Sequence, residues 1–319
     1  MTKDAKIIIN SGTDAVHVEN SKDTTLGYGY FKDINFNLTT AQDGISTSSK
    51  LEIDGGNYTI FTSNSDSEES FKGIKSDQNV ILKNSVMNIT STDDAIHSNG
   101  DIDIISSDDW INAAGGNDNF GFNQGWGGGD KFGSDSDAKI TINGGNITVD
   151  ASGDGVDSNG DFEVTGGVLI VYGPTSSGDG ALDYDGNSSI TGGKVIAFGS
   201  SGMAQNFSNA TQGSILYNFN SSYKAESVMS LLDSSNETLV SVKTKKAFNS
   251  IVVSTPDITN NGVYTLKIGS DSNSITMNGY IYSNGNGGGF GPGSGRHWWH
   301  IYNIKLKLIL YPKYQWYFA

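Results

Sequence analysis

Apolar and polar residues alternate over short stretches of this chain, most clearly between residues 139 and 171. Residues 139–149 alternate on both sides of the pair Gly144-Gly145, and residues 161–171 repeat the arrangement around Gly166-Gly167. Alternation over four or five residues is typical of a half-buried strand, and two glycines permit a sharp corner between strands. The pattern therefore predicts a unit of strand, corner and strand.

This unit returns at a regular interval. Gly166 follows Gly144 after 22 positions (166 − 144), and Gly192 follows after 26 more (192 − 166). Residues 50–60 and 80–90 are earlier copies. A period of about 20 to 50 residues indicates a solenoid or a related array. Because each period contains strands and turns without a helical stretch, we predict an all-β fold in which each period is one coil of a parallel β-helix.

The period fades after Gly213. Residues 214–219, 248–254 and 263–268 alternate as separate strands, which predicts a small antiparallel C-terminal β cap. We predict three regions: the β-helix over 1–212, the cap over 213–270, and a glycine-rich linker with a tail over 271–319. The tail from Arg296 is basic and aromatic, unlike the acidic solenoid, and a frame-shifted read-through is our favoured hypothesis for it.

The composition agrees with a fold that turns many corners, and it limits the classes of ligand that the protein can bind. Glycine accounts for 42 of 319 residues, about 13% against an average near 7%, whereas proline accounts for 4. There is no cysteine, which excludes disulfides and thiolate metal sites. The formal net charge of −15 disfavours nucleic acids and anionic lipid and favours cations.

A second repeating feature is a turn that begins with aspartate and continues with a small and an apolar residue. It occurs at Asp14, Asp43, Asp94 and Asp154. Equivalent turns of a β-helix stack about 4.7–4.9 Å apart, so carboxylates in one column repel unless a positive charge separates them. Hard oxygen ligands without cysteine favour Ca²⁺ over transition metals.

The candidate calcium ligands form two sets. The first set is Asp93, Asp94, Asp108, Asp109, Asn112 and Asp118, and the second is Asp154, Asp157, Asp179, Asp183 and Asp185. The alternative is that Asp and Asn favour turns, where they accept hydrogen bonds from their own backbone. We favour that alternative for any single aspartate, and calcium for the doubled acids at 93–94 and 108–109.

Lysine replaces the acid in one coil, at Lys72 and Lys75. A lysine beside stacked carboxylates is held protonated, which favours an ion pair. If Ca²⁺ engaged those carboxylates, either lysine could instead remove the C5 proton of a uronate bound to the metal. We favour the ion pair and keep the base as an alternative.

Aromatic residues are candidates for stacking on sugar rings. Several lie in a Gly/Phe/Trp-rich stretch predicted to be a projecting loop, where the alternative is that they pack the loop itself. The candidates are Trp110, Phe120, Phe122, Trp126 and Tyr184.

Several motifs together resemble one bacterial family. They are residues 93–100, 108–118, 152–160, 180–186, 200–205 and 214–219. They look like the secreted calcium-binding β-helix proteins described as carbohydrate-binding domain-containing proteins, and the resemblance covers roughly residues 6–270. It implies a right-handed parallel β-helix similar to pectate lyases, Ca²⁺ sites, and binding of cellulose-like or acidic plant polysaccharide. It also implies a likeness in fold to family-nine polysaccharide lyases, whose sites combine calcium-binding aspartates with a lysine base.

We therefore expect calcium-dependent, non-catalytic binding of plant or cell-wall polysaccharide. The alternatives are a uronate lyase that acts by β-elimination with Lys72 or Lys75, and a structural surface or adhesion module. We expect a monomer that binds no nucleic acid and does not span a membrane. We also expect an extracellular or cell-surface location, with a solenoid truncated at its N-terminus and an export signal upstream of the given sequence.

Overall fold

The structure is a computed structural model that describes residues 6–20, 22–23, 25–63, 71–91, 94–106, 110–115, 139–158 and 160–284. Every regular element in these ranges is a β-strand, numbered β1 to β29 in chain order. None of the described segments is a helix long and apolar enough to cross a bilayer.

The largest sheet has eleven strands. In their spatial order, they are β1 (Lys6–Ser11), β4 (Asn35–Thr40), β7 (Asn57–Thr62), β10 (Val86–Thr90), β13 (Trp110–Gly115), β15 (Asn146–Ala151), β18 (Val168–Tyr172), β21 (Lys194–Gly199), β26 (Phe248–Ser254), β23 (Ser214–Tyr223) and β29 (Ile281–Asn284).

Three further sheets complete the solenoid. The eight-stranded sheet contains β3 (Gly29–Lys32), β6 (Leu51–Asp54), β9 (Val80–Lys83), β12 (Ile102–Ile104), β14 (Lys139–Ile142), β17 (Asp161–Val164), β20 (Ser188–Ile190) and β22 (Asn209–Ala210). The four-stranded parallel sheet contains β2 (Val16–Val18), β5 (Ile45–Thr47), β8 (Ile74–Ser76) and β11 (Ile96–Ser98). The two-stranded sheet contains β16 (Val156–Ser158) and β19 (Leu182–Tyr184).

Strands of successive coils pair in parallel and in register. In the eleven-stranded sheet, Leu38 of β4 lies beside Ile60 of β7, which lies beside Ile89 of β10. All three side chains point inward and are buried, as alternation along each strand requires. Full burial of one such side chain stabilises the fold by about 1.5–3 kcal/mol. The predicted parallel solenoid is confirmed.

The corners lie where the glycine pairs predict them. Gly55 and Gly56 separate β6 from β7 and have φ angles of 82° and 94°. A Cβ atom at Gly56 would overlap the carbonyl oxygen of Ile34 in the preceding coil. Both the left-handed backbone and the lack of space therefore require glycine at this corner.

The cap ends the solenoid by reversing strand direction. Strand β26 pairs antiparallel with β21, the last parallel strand of the eleven-stranded sheet, and β23 continues beyond it. A separate antiparallel sheet contains β25 (Thr238–Lys243), β24 (Val228–Leu232), β27 (Val263–Ile268) and β28 (Asp271–Thr276). The predicted cap strands are present as β23, β26 and β27. Strands β28 and β29 lie past the predicted cap boundary at residue 270, so the cap extends to Asn284.

A second hydrophobic core joins the cap to the solenoid. It packs Tyr172 and Phe198, from the outward face of the last coils, against cap residues such as Leu231 and Phe248. The rings of Tyr172 and Phe198 stack with centroids 5.9 Å apart. The cap thus covers the outward side of the eleven-stranded sheet at its C-terminal end.

Candidate functional site

The outward face of β4, β7 and β10 is a flat, uncharged surface. Three residues of each strand alternate outward, giving three columns that run along the solenoid, and we call this surface the amide face. Its residues are Asn35, Asn37, Thr39, Asn57, Thr59, Phe61, Val86, Asn88 and Thr90, each at least partly exposed. A surface of nine residues without a charged side chain stands out on a protein of net charge −15.

The amide face is ordered by the parallel register. The backbone N–H and the side-chain Nδ2 of Asn57 both donate to Oδ1 of Asn35, at 3.0 and 2.7 Å. Phe61 lies between Thr39 and Thr90 in one column, and 45% of it is exposed. Neighbouring coils lie about 4.8 Å apart, so polar groups and one aromatic ring repeat at close, fixed spacing.

Among the described residues, the C-terminal coils have a smaller uncharged outward surface. Asp150 of β15 forms ion pairs with cap residues Lys246 (2.7 Å) and Lys245 (4.0 Å). Tyr172 of β18 and Ile196 of β21, which are outward residues of the next two strands, lie in the second core. The uncharged outward face is therefore open to solvent over the N-terminal coils and closed by the cap farther along.

The aspartate column forms a polar corner between the eleven-stranded and four-stranded sheets. Asp14 Oδ1 accepts the backbone N–H of Asp43 at 3.0 Å, and Asp43 Oδ1 accepts that of Lys72 at 2.8 Å. Asp154 Oδ1 likewise accepts the N–H of Gly180 at 2.6 Å. These carboxylates thus accept hydrogen bonds from the backbone of the next coil. The alternative to calcium binding predicts hydrogen bonds within each aspartate's own turn.

Lys72 lies in a buried ionic cluster with Asp94 and His97. Oδ2 of Asp94 is 3.0 Å from Lys72 Nζ and 2.9 Å from His97 Nδ1. Burial alone would raise the pKa of Asp94, but the Lys72 ammonium and the His97 hydrogen bond outweigh it and hold the pKa below its ordinary value. His97 Nε2 lies 3.0 Å from Asn99 Oδ1, which fixes the ring. This geometry favours the ion-pair interpretation of Lys72.

Lys75 and His17 occupy the neighbouring column. Lys75 Nζ lies 3.8 Å from Asp43 Oδ2, and 28% of the Lys75 side chain is exposed. His17 Nδ1 lies 2.7 Å from Asp14 Oδ2, and Asp14 raises the pKa of His17. The Asp-His pair of the first coil thus resembles the buried Asp94–His97 pair, but it is open to solvent.

The second predicted set of calcium ligands is only partly brought together. Asp157 and Asp183 lie side by side in paired strands, and Asp183 Oδ1 accepts a hydrogen bond from Gln205 at 2.7 Å. Asp179 instead accepts a hydrogen bond from Ser176, and Asp185 is exposed. Across the described residues, no three His, Cys, Asp or Glu side chains form a group suited to a metal ion. The part of the chain that is described therefore does not by itself fit a calcium site.

The remaining predicted site residues fall outside the description or pack inward. Asp93, Asp108, Asp109, Asp118, Phe120, Phe122 and Trp126 lie outside the described residues, as do the side chains of Trp110 and Asn112. Tyr184 donates a hydrogen bond to the carbonyl of Asn206 and packs near the Phe162 ring, at 6.5 Å. This geometry favours a packing role for Tyr184 over a sugar contact.

Sequence reasoning missed Phe61 and His97. Phe61 occupies an outward position of an alternating strand, β7, and this signal was available in the pattern itself. His97 lies three residues after Asp94, but its burial beside Lys72 depends on the next coil and leaves no local signal.

The comparisons with known proteins point to one function class. Residues 1–119 match the model of a family described as "Carbohydrate-binding domain-containing protein". No curated protein sequence and no solved structure gave a match. The matched stretch contains the amide face and the polar corner from Asp14 to His97. Over its first 119 residues, this chain is therefore similar to the carbohydrate-binding domain family.

Proposed function

We propose that this protein binds a neutral, cellulose-like polysaccharide without catalysis, and that the amide face is the binding surface. The observation that carries the proposal is an exposed, uncharged face of Asn, Thr and Phe within the stretch that resembles the carbohydrate-binding family.

The chemistry of the face suits a neutral sugar chain. Asparagine amides and threonine hydroxyls both donate and accept hydrogen bonds, as sugar hydroxyls do. The Phe61 ring supplies an apolar surface against which the C–H face of a pyranose can pack. The nine residues of the face include no cationic side chain, and the cation that borders them is Lys6 of β1, beside Asn35. With one cation at its edge and none within it, the face suits a neutral polymer better than a polymer with a carboxylate on each sugar.

Lys72 supports the non-catalytic form of the proposal. Its side chain is 7% exposed and its Nζ contacts Asp94, so it is poorly placed to reach a polymer in solvent. Lys75 is more exposed, but it lies on β8 of the four-stranded sheet and not on the amide face. A lyase reaction at these lysines is accordingly not part of the proposal.

Calcium dependence and an extracellular location remain part of the proposal. Calcium is supported by the doubled acids at 93–94 and 108–109, most of which lie outside the described residues. The location follows from the proposed ligand, because cellulose-like polymers lie outside the cell.

The test is the affinity for a soluble, neutral β-glucan such as hydroxyethyl cellulose. Phe61→Ala is expected to weaken binding roughly tenfold, equivalent to about 1.4 kcal/mol, because it removes the exposed ring from the face. Leu26→Ala is the matched control, since Leu26 is an exposed apolar residue (55%) of the same region that lies off the face.

Equal affinity of Phe61→Ala and the parent protein would show that the face is misassigned. Retention on polygalacturonate but not on neutral glucan would overturn the proposal that the ligand is neutral. Failure to bind either polymer, with or without Ca²⁺, would leave a structural surface or adhesion module as the remaining hypothesis for the function.

A further inference from the structure

The cap has a cluster of aromatic residues on the rim of its core, which we call the aromatic rim. The rings of Tyr217 and Phe219 lie 4.9 Å apart, and those of Phe219 and Tyr223 also lie 4.9 Å apart. Tyr282 of β29 lies beside Ile215, two residues before Tyr217 on β23. All four aromatic residues are partly exposed. The rim thus forms a short aromatic stripe along the edge of the cap.

Hydrogen bonds to strand β28 hold the rim in place. Tyr217 Oη donates to Asn273 Oδ1 at 2.9 Å, and Tyr223 Oη donates to Asp271 Oδ2 at 2.8 Å. Partial burial, and then the bond to Asp271, raise the pKa of Tyr223 to about 12, so its hydroxyl stays protonated. The rings of Tyr217 and Tyr223 are therefore fixed before any ligand arrives, which lowers the entropy lost on binding.

The solvent-facing surfaces of these rings are not needed to close the hydrophobic core of the cap. Met229, Leu231 and Leu266 are fully buried beneath the rim. Aliphatic side chains at the edge would close such a core equally well, whereas tyrosine keeps an apolar ring surface beside a polar group at the solvent boundary. Rings with an apolar face and one wet edge, next to carboxylate and amide oxygens, match the mixed apolar and hydroxylated surface of a saccharide.

We propose that the aromatic rim is a second carbohydrate-binding site that contacts pyranose rings by stacking and sugar hydroxyls through Asp271 and Asn273. The ligand class rests on the proposed function, but the position of the site does not. The rim lies beyond residue 119 and hence outside the stretch that matches the carbohydrate-binding family. Two separate sites on one protein would let it hold a long polymer at two points and gain avidity.

The test uses the full chain with ¹³C-labelled tyrosine and soluble cello-oligosaccharides followed by NMR. The ring signals of Tyr217 and Tyr223 are expected to shift on titration, and to shift equally in a Phe61→Ala background, where the amide face is weakened. In that background, Tyr223→Ala is expected to reduce the remaining affinity at least fivefold. Tyr223→Phe, which keeps the ring and removes only the hydroxyl, is expected to reduce it less than twofold.

The outcomes separate the two proposals. Unmoved tyrosine signals at saturating ligand, with binding that depends on Phe61, would overturn the rim and leave the amide face standing. Tyrosine shifts in a protein whose affinity is unaffected by Phe61→Ala would overturn the amide face and leave the rim. Should Tyr223→Ala fail to fold, the NMR titration of the unsubstituted protein still decides whether the rim binds.

Discussion

At the residue scale, the buried ion pair of Lys72 shows how one substitution in a repeating column is accommodated. Lysine replaces an aspartate of the polar corner, and its Nζ reaches Asp94 in the next coil at 3.0 Å. Both side chains are almost fully buried, so the pair lies in a medium of low effective dielectric. Lys75, only three residues away, meets Asp43 at 3.8 Å and remains partly in solvent. The two lysines therefore contribute differently to stability.

We predict that Lys72→Met lowers the free energy of unfolding by about 3–5 kcal/mol, because it leaves a buried carboxylate without its main cation. Lys75→Met is the matched control and is expected to cost about 1 kcal/mol or less, because the contact with the buried Asp43 is long, at 3.8 Å, and the Lys75 ammonium stays partly in solvent. Urea denaturation of both variants measures the difference. Equal losses would show that Lys72 is not held as a buried ion pair.

The same cluster predicts an acid dependence. Because the pKa of Asp94 is lower in the folded state than in the unfolded state, the unfolded chain takes up the proton first. The stabilisation is fully present above the unfolded value near 3.9, and it is lost as pH falls through the folded pKa. The stability difference between the parent protein and Asp94→Asn should therefore shrink as the pH falls below about 4. A difference that grows on acidification would contradict this assignment.

At the element scale, each coil depends on a tight corner between the eight-stranded and eleven-stranded sheets. Gly56, Gly145, Gly167 and Gly193 occupy this corner with φ between 78° and 94°. In the coil of β9 and β10 the corner is Asn84-Ser85, and Asn84 takes φ 52°, a conformation that asparagine tolerates. A close approach between coils, more than φ alone, therefore decides where glycine is required.

We predict that Gly56→Ala costs about 1–3 kcal/mol, because alanine strains the left-handed backbone and its Cβ would overlap the Ile34 carbonyl. Gly12→Ala serves as the control, since a Cβ at Gly12 meets no atom within 4 Å. The control is expected to be neutral or slightly stabilising, through the reduced entropy of the unfolded chain. Thermal or urea unfolding of the two variants tests this, and a harmless Gly56→Ala would contradict the close packing of these corners.

At the scale of the whole molecule, the cap decides which part of the solenoid is open to a ligand. Outward residues of β18 and β21 pack into the second core, whereas those of β4, β7 and β10 meet solvent. The cap also pairs with the last parallel strand and so covers an edge that would otherwise invite aggregation. One element thus both ends the solenoid and limits its exposed face.

Calcium bound to the folded protein stabilises it through mass action. We predict that chelation lowers the melting temperature of the calcium-loaded protein, because an ion at a hundredfold excess over its Kd adds about 2.7 kcal/mol. Asp108→Ala and Asp109→Ala are expected to reduce this effect more than Asp14→Ala, whose carboxylate already bonds to the backbone of Asp43. A melting temperature unchanged by chelator would remove calcium from the proposed function.

The sequence by itself determined the repeating part of this protein. Alternation and glycine pairs predicted the strands, their corners and their parallel stacking, because strand periodicity and corner geometry are local properties that recur in each coil. The cap strands from Ser214, Phe248 and Val263 were predicted for the same reason. Strand β29 was missed, since it pairs with β23, far earlier in the chain. Strand β28 was missed as well, although it pairs with its sequence neighbour β27 across a two-residue turn.

Only the tertiary structure decided which surfaces are open and which polar groups are buried. Stacking placed Phe61 on an uncovered, uncharged face and enclosed His97 with Lys72 and Asp94, although all of these are ordinary strand or turn residues in the sequence. Folding back of the cap covered Tyr172 and packed Tyr223 of β23 against Phe248 of β26. Exposure depends on what packs across a surface, and that is settled by contacts between coils and cap, which no local pattern encodes.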